Sequence, residues 1–220
     1  MRKTDSPRKS YEQYCAVARA LDVVGERWTL LIVRDLLLGP KRYTDLQAGL
    51  PGIGPNVLAD RLRSLEGAGL VRKRRLPPPA ASTVYELTEL GAGLRPALEE
   101  LFRWGLHFAA TPSAADAVKA SWWLPAIRAA IRPESVPADV DDTYELRIGD
   151  DAVTVATKAG DVQTHDGPAD DPDVVVRTDH MTFALLGRGE ISASEAIVSG
   201  ALTVEGDAAA AERCRALFAA

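Results

Sequence analysis

Pro55-Asn56-Val57-Leu58-Ala59-Asp60-Arg61-Leu62-Arg63-Ser64-Leu65-Glu66-Gly67-Ala68-Gly69-Leu70-Val71-Arg72-Lys73-Arg74-Arg75 joins two unlike patterns. Leu58, Leu62 and Leu65 recur at the i, i+4, i+7 spacing of one helix face. Pro55 suits a first helical position, where its missing N–H has no helical partner to lose, and Gly67-Ala68-Gly69 ends the run. At about 100° per residue the side opposite the leucines carries Asn56, Asp60 and Arg63. Ala59 and Ser64 flank them, and Arg61 lies nearer the edge. Leu70 to Arg75 and Thr83 to Leu87 then read as two short strands, joined by a loop that holds Pro77, Pro78 and Pro79.

Upstream, Val17, Leu21 and Val24 form the stripe of an amphipathic helix over Ala16 to Val24, closed by Gly25. Trp28 to Leu38 is apolar nearly all round and predicts a central buried helix, stopped by Gly39-Pro40. A short helix over Tyr43 to Ala48 follows, then the tight connector Leu50 to Pro55. Downstream, Thr88 can cap a long helix through Leu90, Leu94, Leu98, Leu101 and Phe108, kinked at Pro96. Short helices feeding a two-stranded hairpin make a winged helix-turn-helix. Thr111-Pro112-Ser113 begins a linker, so the boundaries are 1–111 and 112–220. The second half predicts a helix over Ala114 to Ile131, then strands at Thr143 to Ile148, Ala152 to Thr157, Asp173 to Thr178 and Leu202 to Glu205. Helices at Met181 to Leu186, Ser192 to Ser199 and Ala208 to Phe218 alternate with them. The fold class is α+β throughout.

Net charge is −5, but it is divided unevenly: residues 1–110 carry +5 and the remainder −10. The acidic half argues against coating nucleic acid along the whole chain, and the basic half is the candidate. An asparagine can read adenine bidentately, and an arginine can read guanine or clamp a phosphate. Asp60 either accepts from a cytosine amino group or holds Arg61 or Arg63 by a local ion pair. Arg72, Lys73, Arg74 and Arg75 stand on the hairpin, where a wing reaches the flanking backbone or minor groove. A charge run alone is more often a solvated face; its place directly after a helix-turn-helix favours the wing. Tyr43 and Thr44, at the start of the preceding short helix, join Asn56, Ala59, Asp60, Arg61, Arg63 and Ser64 as candidate DNA contacts.

The run from Cys15 to Leu36, with Gly39, Arg42-Tyr43, Leu46, Gly52-Ile53, Leu58, Arg61-Leu62, Leu65, Gly69-Leu70-Val71, Tyr85, Leu87-Thr88, Gly91 and Trp104-Gly105, resembles the HxlR-type winged-helix regulators, relatives of the MarR group, over roughly residues 10–108. The resemblance implies a homodimer, held by the first and last helices of the domain, that binds double-stranded DNA at an inverted repeat and is read as a repressor. The sequence departs from the pattern at Ala59, where Ser or Thr is usual, and in the proline-rich wing tip. Several members carry a redox-sensing thiol where Cys15 stands; a helix N-terminus there would lower its pKa, although a buried or interfacial cysteine that merely packs is the commoner case. Cys214 falls on the apolar stripe Ala210, Cys214, Leu217 and reads as inert.

Tyr144 to Ile148, Pro172 to Asp179, Phe183 to Gly187, and Gly200 to Asp207 with the closing helix resemble the sterol-carrier-protein type 2 fold over about residues 140–220. That resemblance implies an apolar tunnel for a hydrophobic small-molecule effector. Trp122, Trp123, Phe183, Leu186 and Val198 are candidates to line it, with ordinary core packing as the alternative.

His107, His165 and His180 lack metal-ligand spacing, and no nucleophile elbow, P-loop or dinucleotide fingerprint occurs. The expectation is therefore no enzyme, no cofactor and no metal. No apolar run reaches the ~18 residues of a membrane span and no secretory signal is seen, which makes the cytoplasm the expected location. Two alternatives to the regulator are a lipid or metabolite carrier that uses its first domain only for pairing, and a thiol redox sensor acting through Cys15.

Overall fold

Leu58, Leu62 and Leu65 are no more than 1% exposed, and the first unit is assembled on them. The computed structural model describes residues 10–78, 81–108, 120–131, 135 and 138–218. The chain divides into two compact units, Met1–Leu98 and Glu99–Ala220.

In the first unit α1 (Ala16–Val24), α2 (Thr29–Leu37), α3 (Tyr43–Gly49) and α4 (Pro55–Gly67) lead into an antiparallel hairpin of β1 (Val71–Arg75) and β2 (Thr83–Leu87). Its core joins Ile32, Val33 and Leu36 of α2, Leu46 of α3, Leu50 and Ile53 of the connector, the three α4 leucines, and Leu70 and Val71. Gly91 fixes the exit from the hairpin: a Cβ there would lie 2.1 Å from the Leu70 carbonyl oxygen, so only glycine fits. This is the winged helix-turn-helix arrangement.

One expectation holds in part and one fails. The α1 stripe is divided: Val17 is 66% exposed and Leu21 is also exposed, whereas Val24 is buried together with Ala18. The long helix after Thr88 is instead α5 (Glu89–Ala92) and α6 (Arg95–Gly105). Thr88 caps α5 by accepting from the Gly91 N–H at 3.1 Å. A proline four residues on from Ala92 clashes with that residue's carbonyl in a continuous helix, so Pro96 takes the second position of a new one. Leu90 and Leu101 are exposed rather than core, and α6 has no buried residue.

The second unit contains a 3-10 turn (Ala120–Trp123) running into α7 (Leu124–Ala130). Positions 114–119 of the expected helix, the linker at 111–113 and Pro79 lie outside the described residues. A five-stranded sheet follows, built from β3 (Asp142–Ile148), β4 (Asp151–Lys158), β5 (Asp161–Asp166), β6 (Val174–Thr178) and β7 (Leu202–Gly206) in the order β5-β4-β3-β6-β7. β3 and β6 are parallel and the other pairs antiparallel. Between β6 and β7 lie α8 (His180–Gly187) and α9 (Ala193–Val198), and α10 (Ala208–Phe218) closes the chain.

Tyr144, Leu146, Ile148, Val153, Val155 and Val174 are buried in the sheet; Ala210, Cys214 and Leu217 are the buried side of α10. β5 was not expected. Its sequence Asp-Val-Gln-Thr-His-Asp has one apolar residue, and it is a strand because it pairs along β4 from Val153↔Asp166 to Lys158↔Asp161. His165 therefore sits on a strand.

Candidate nucleic-acid interface

Burial of the leucine stripe turns the rest of α4 outward. Asn56, Asp60, Arg63 and Ser64 are exposed, and Ala59 and Arg61 are half-buried at the edge. Asp60 pairs with Arg63 one turn on, which leaves Asn56 as an uncharged polar side chain and the Asp60–Arg63 couple as a local dipole on the same side. Arg61 turns away from that side. Its Nη2 lies 2.9 Å from Glu26 Oε2 and its Nε donates to the Arg27 carbonyl at 3.2 Å. On α3, the Tyr43 hydroxyl donates to the Pro55 carbonyl at 2.7 Å, fixing the angle between α3 and α4, and Thr44 is exposed beside it. The Arg42 amide donates to Asp45 Oδ2 at 3.1 Å and so begins α3.

The register Arg72↔Glu86, Lys73↔Tyr85, Arg74↔Val84 puts Arg72 and Arg74 on one face of the hairpin and Lys73 on the other. Both arginines donate to Glu86, at 2.7 Å each. Hydrogen bonds from Arg74 and Arg72 hold the Glu86 carboxyl below its ordinary pKa. Lys73 Nζ lies 2.9 Å from Glu66 Oε2 and 5.3 Å from the Tyr85 ring centroid; the Glu66 contact raises its pKa. Among the described residues no carboxylate pairs with Arg75. The cationic run thus meets two carboxylates and keeps a net two positive charges, fewer than its sequence implies. Arg42 reaches the hairpin too, donating to Ser82 Oγ at 3.1 Å. Sequence reading missed Arg42 as a link between α3 and the hairpin, and Glu86 as the organiser of the arginines. The signal for Glu86 was its place opposite Arg72 once the two strands are paired.

Cys15 is exposed at the N-cap of α1, where the backbone N–H groups of Ala18 and Val17 hold its pKa below the usual thiol value. Cys214 is buried, and desolvation pushes its thiol up to about 12.

In the second unit the Trp123 and Phe183 rings meet edge to face, 5.2 Å between centroids, and Phe102 meets Trp123 at 5.9 Å. Trp122 and Leu186 are half-buried. Val198 is 88% exposed and lines no cavity. α9 buries Ala196, and two residues on is about 200° around a helix, which sends Val198 to solvent. Phe102 was not foreseen because it sits on a helix that reads as part of the first domain. His107 Nδ1 lies 3.0 Å from the Trp104 carbonyl oxygen, a local contact at the end of α6. Among the described residues no three His, Cys, Asp or Glu side chains form a metal-holding group, and no helix is long and apolar enough to cross a membrane.

Residues 23–112 match the family model for the HxlR-like helix-turn-helix, and residues 134–219 that of the SCP-2 sterol transfer family. The chain is 37% identical over 90 residues to the uncharacterized HTH-type transcriptional regulator YvaP of Bacillus subtilis, which covers 41% of this chain and 83% of that one. It is 35% identical over 89 residues to the HTH-type transcriptional regulator YodB of the same organism, covering 40% and 80%. An uncharacterized HTH-type regulator of Mycobacterium tuberculosis, Rv3095, is 39% identical over 97 residues, covering 44% and 61%. With the fold, the outward side of α4 and these relatives together, the chain belongs to the HxlR-like helix-turn-helix family of transcriptional regulators.

Proposed function

We propose that this regulator binds an inverted-repeat operator as a homodimer. Each α4 would lie in a major groove and each hairpin against the flanking backbone. The observation that supports this best is the division of α4, with three leucines sealed and Asn56, Asp60, Arg63 and Ser64 outward. Pairing is supported by uncovered apolar side chains on two helices: Val17 and Leu21 on α1, Leu101 and Trp104 on α6. The domains of this reading are residues 1–111, which bind DNA and pair, and 112–220, which hold a hydrophobic small molecule near Trp123 and Phe183. The molecule regulates DNA binding only by binding the two states unequally.

A gel shift with the chain's own promoter region tests the reading. Sequence-specific retention by the wild type, lost in Asn56→Ala/Arg63→Ala, is expected. Retention that is absent, or that ignores salt and those substitutions, contradicts it and favours a carrier.

A thiol switch is a second reading, favoured by the exposed N-cap position of Cys15 and its lowered pKa. It predicts that Cys15→Ser abolishes an oxidant response of DNA affinity, and an unchanged response removes it.

A further inference from the structure

The corner between α1 and α2 holds Gly25, Glu26, Arg27, Trp28 and Thr29 in an arrangement with local costs. Trp28 has φ +78°, in the left-handed region where a bulky side chain is strained. Thr29 Oγ1 is buried with no hydrogen-bond partner among the described residues. A Cβ on Gly25 would lie 2.5 Å from the Leu21 carbonyl oxygen, so the turn can close tightly only with glycine. Such costs persist where neighbouring contacts fix the geometry, and two such contacts reach the helix-turn-helix. Trp28 packs on the α3–α4 connector, its Cη2 3.7 Å from the place of a Cβ on Gly52. Glu26 and the Arg27 carbonyl together hold Arg61 of α4.

We propose that this corner couples α1 to the DNA-reading helix, with Arg61 as a positioning residue whose guanidinium sets the seat of α4 instead of reading a base. A buried stripe of leucines lets a helix rock about that stripe. Two hydrogen bonds from Arg61, at the stripe's edge, limit the rocking. A displacement of α1, whose Val17 and Leu21 are uncovered, then moves the Glu26 carboxylate and the Arg27 carbonyl and carries α4 with them. The proposal rests on α4 being the reading helix.

The test compares the full chain with Glu26→Gln, Arg61→Ala and the exchange Glu26→Arg/Arg61→Glu. Affinity for the promoter DNA is read across a range of salt, and hydrogen exchange of the Leu58–Leu65 amides is read without DNA. Glu26→Gln should lower specific affinity about five- to tenfold with an unchanged salt slope, since no phosphate contact is lost. The exchange should recover part of that loss. Exchange of the α4 amides should rise in Glu26→Gln and fall back in the exchanged pair.

If Arg61 touches DNA instead, Arg61→Ala flattens the slope by about one per protomer, and the exchanged pair, with a carboxylate on the reading helix, binds no better than either single variant. Either result overturns the proposal. A wild type that retains no DNA would instead remove the reading of α4, and amide exchange unchanged by Glu26→Gln would still refute the coupling.

Discussion

Glu86 neutralises part of the charge that Arg72 to Arg75 carry. Its carboxylate is nearly buried, and both Arg72 and Arg74 spend donors on it, so the arginines are aimed but partly neutralised. Glu86→Gln removes that anion. Binding to random-sequence duplex should tighten, and its salt slope should steepen by about one per protomer, since each extra phosphate contact adds about that much. Anisotropy titrations at several salt concentrations check this, and an unchanged slope contradicts it. In the second unit Asp142 has the corresponding place. Arg213 donates to it at 2.6 and 2.8 Å, and the Tyr144 hydroxyl donates at 2.7 Å. The Arg213 bonds hold the Asp142 carboxyl below its ordinary pKa, against desolvation. A carboxyl lowered in the folded state stabilises above its unfolded pKa and loses that stabilisation as pH falls through the folded value. The contribution should therefore be complete above about pH 5 and fade below the ordinary Asp value of about 3.9. Asp142→Asn should cost about 2 kcal/mol near neutral pH, because Arg213 and Tyr144 lose their shared anion. Melting curves from pH 7 to 2.5 should show wild type and variant converging only at the acid end.

Along its length α4 separates a sealed leucine side from an outward polar side. Leu62→Ala should destabilise the first unit by about 2–5 kcal/mol, as for other buried leucines. Asn56→Ala, at an exposed position, should change stability by under about 0.5 kcal/mol while weakening specific binding; urea unfolding and gel shifts together check the contrast. The same helix was legible in the sequence because its leucines and its Pro and Gly boundaries state its length and its buried side without reference to the rest of the chain. β1, β2 and α10 were legible for similar local reasons. α1 was half legible: the period of Val17, Leu21 and Val24 gives a helix, but an apolar stripe does not say whether its cover lies in the same chain. β5 was hidden because pairing with β4, not its own composition, makes it a strand. Val198 was misplaced because a six-residue helix buries a single alanine, too little for a periodicity argument. Of the interface, exposure of Asn56 and Arg63 followed from spacing. The diversion of Arg61 to Glu26 did not, since it joins positions 35 residues apart.

The molecule as a whole joins a basic unit and an acidic sheet unit on one chain, with uncovered apolar side chains on α1 and α6. Leu21→Asp/Trp104→Ser should convert a dimer to monomers in sedimentation equilibrium and weaken operator binding in step, because a half-site alone supplies half the phosphate contacts. The proposed binding mode places two α4 helices in successive major grooves of one operator. A hydroxyl-radical footprint of the full chain on its own promoter tests that most directly. Two protected half-sites with centres about 10–10.5 base pairs, or a multiple of that, apart are expected. A single protected half-site, or protection with no preference for sequence, would contradict it.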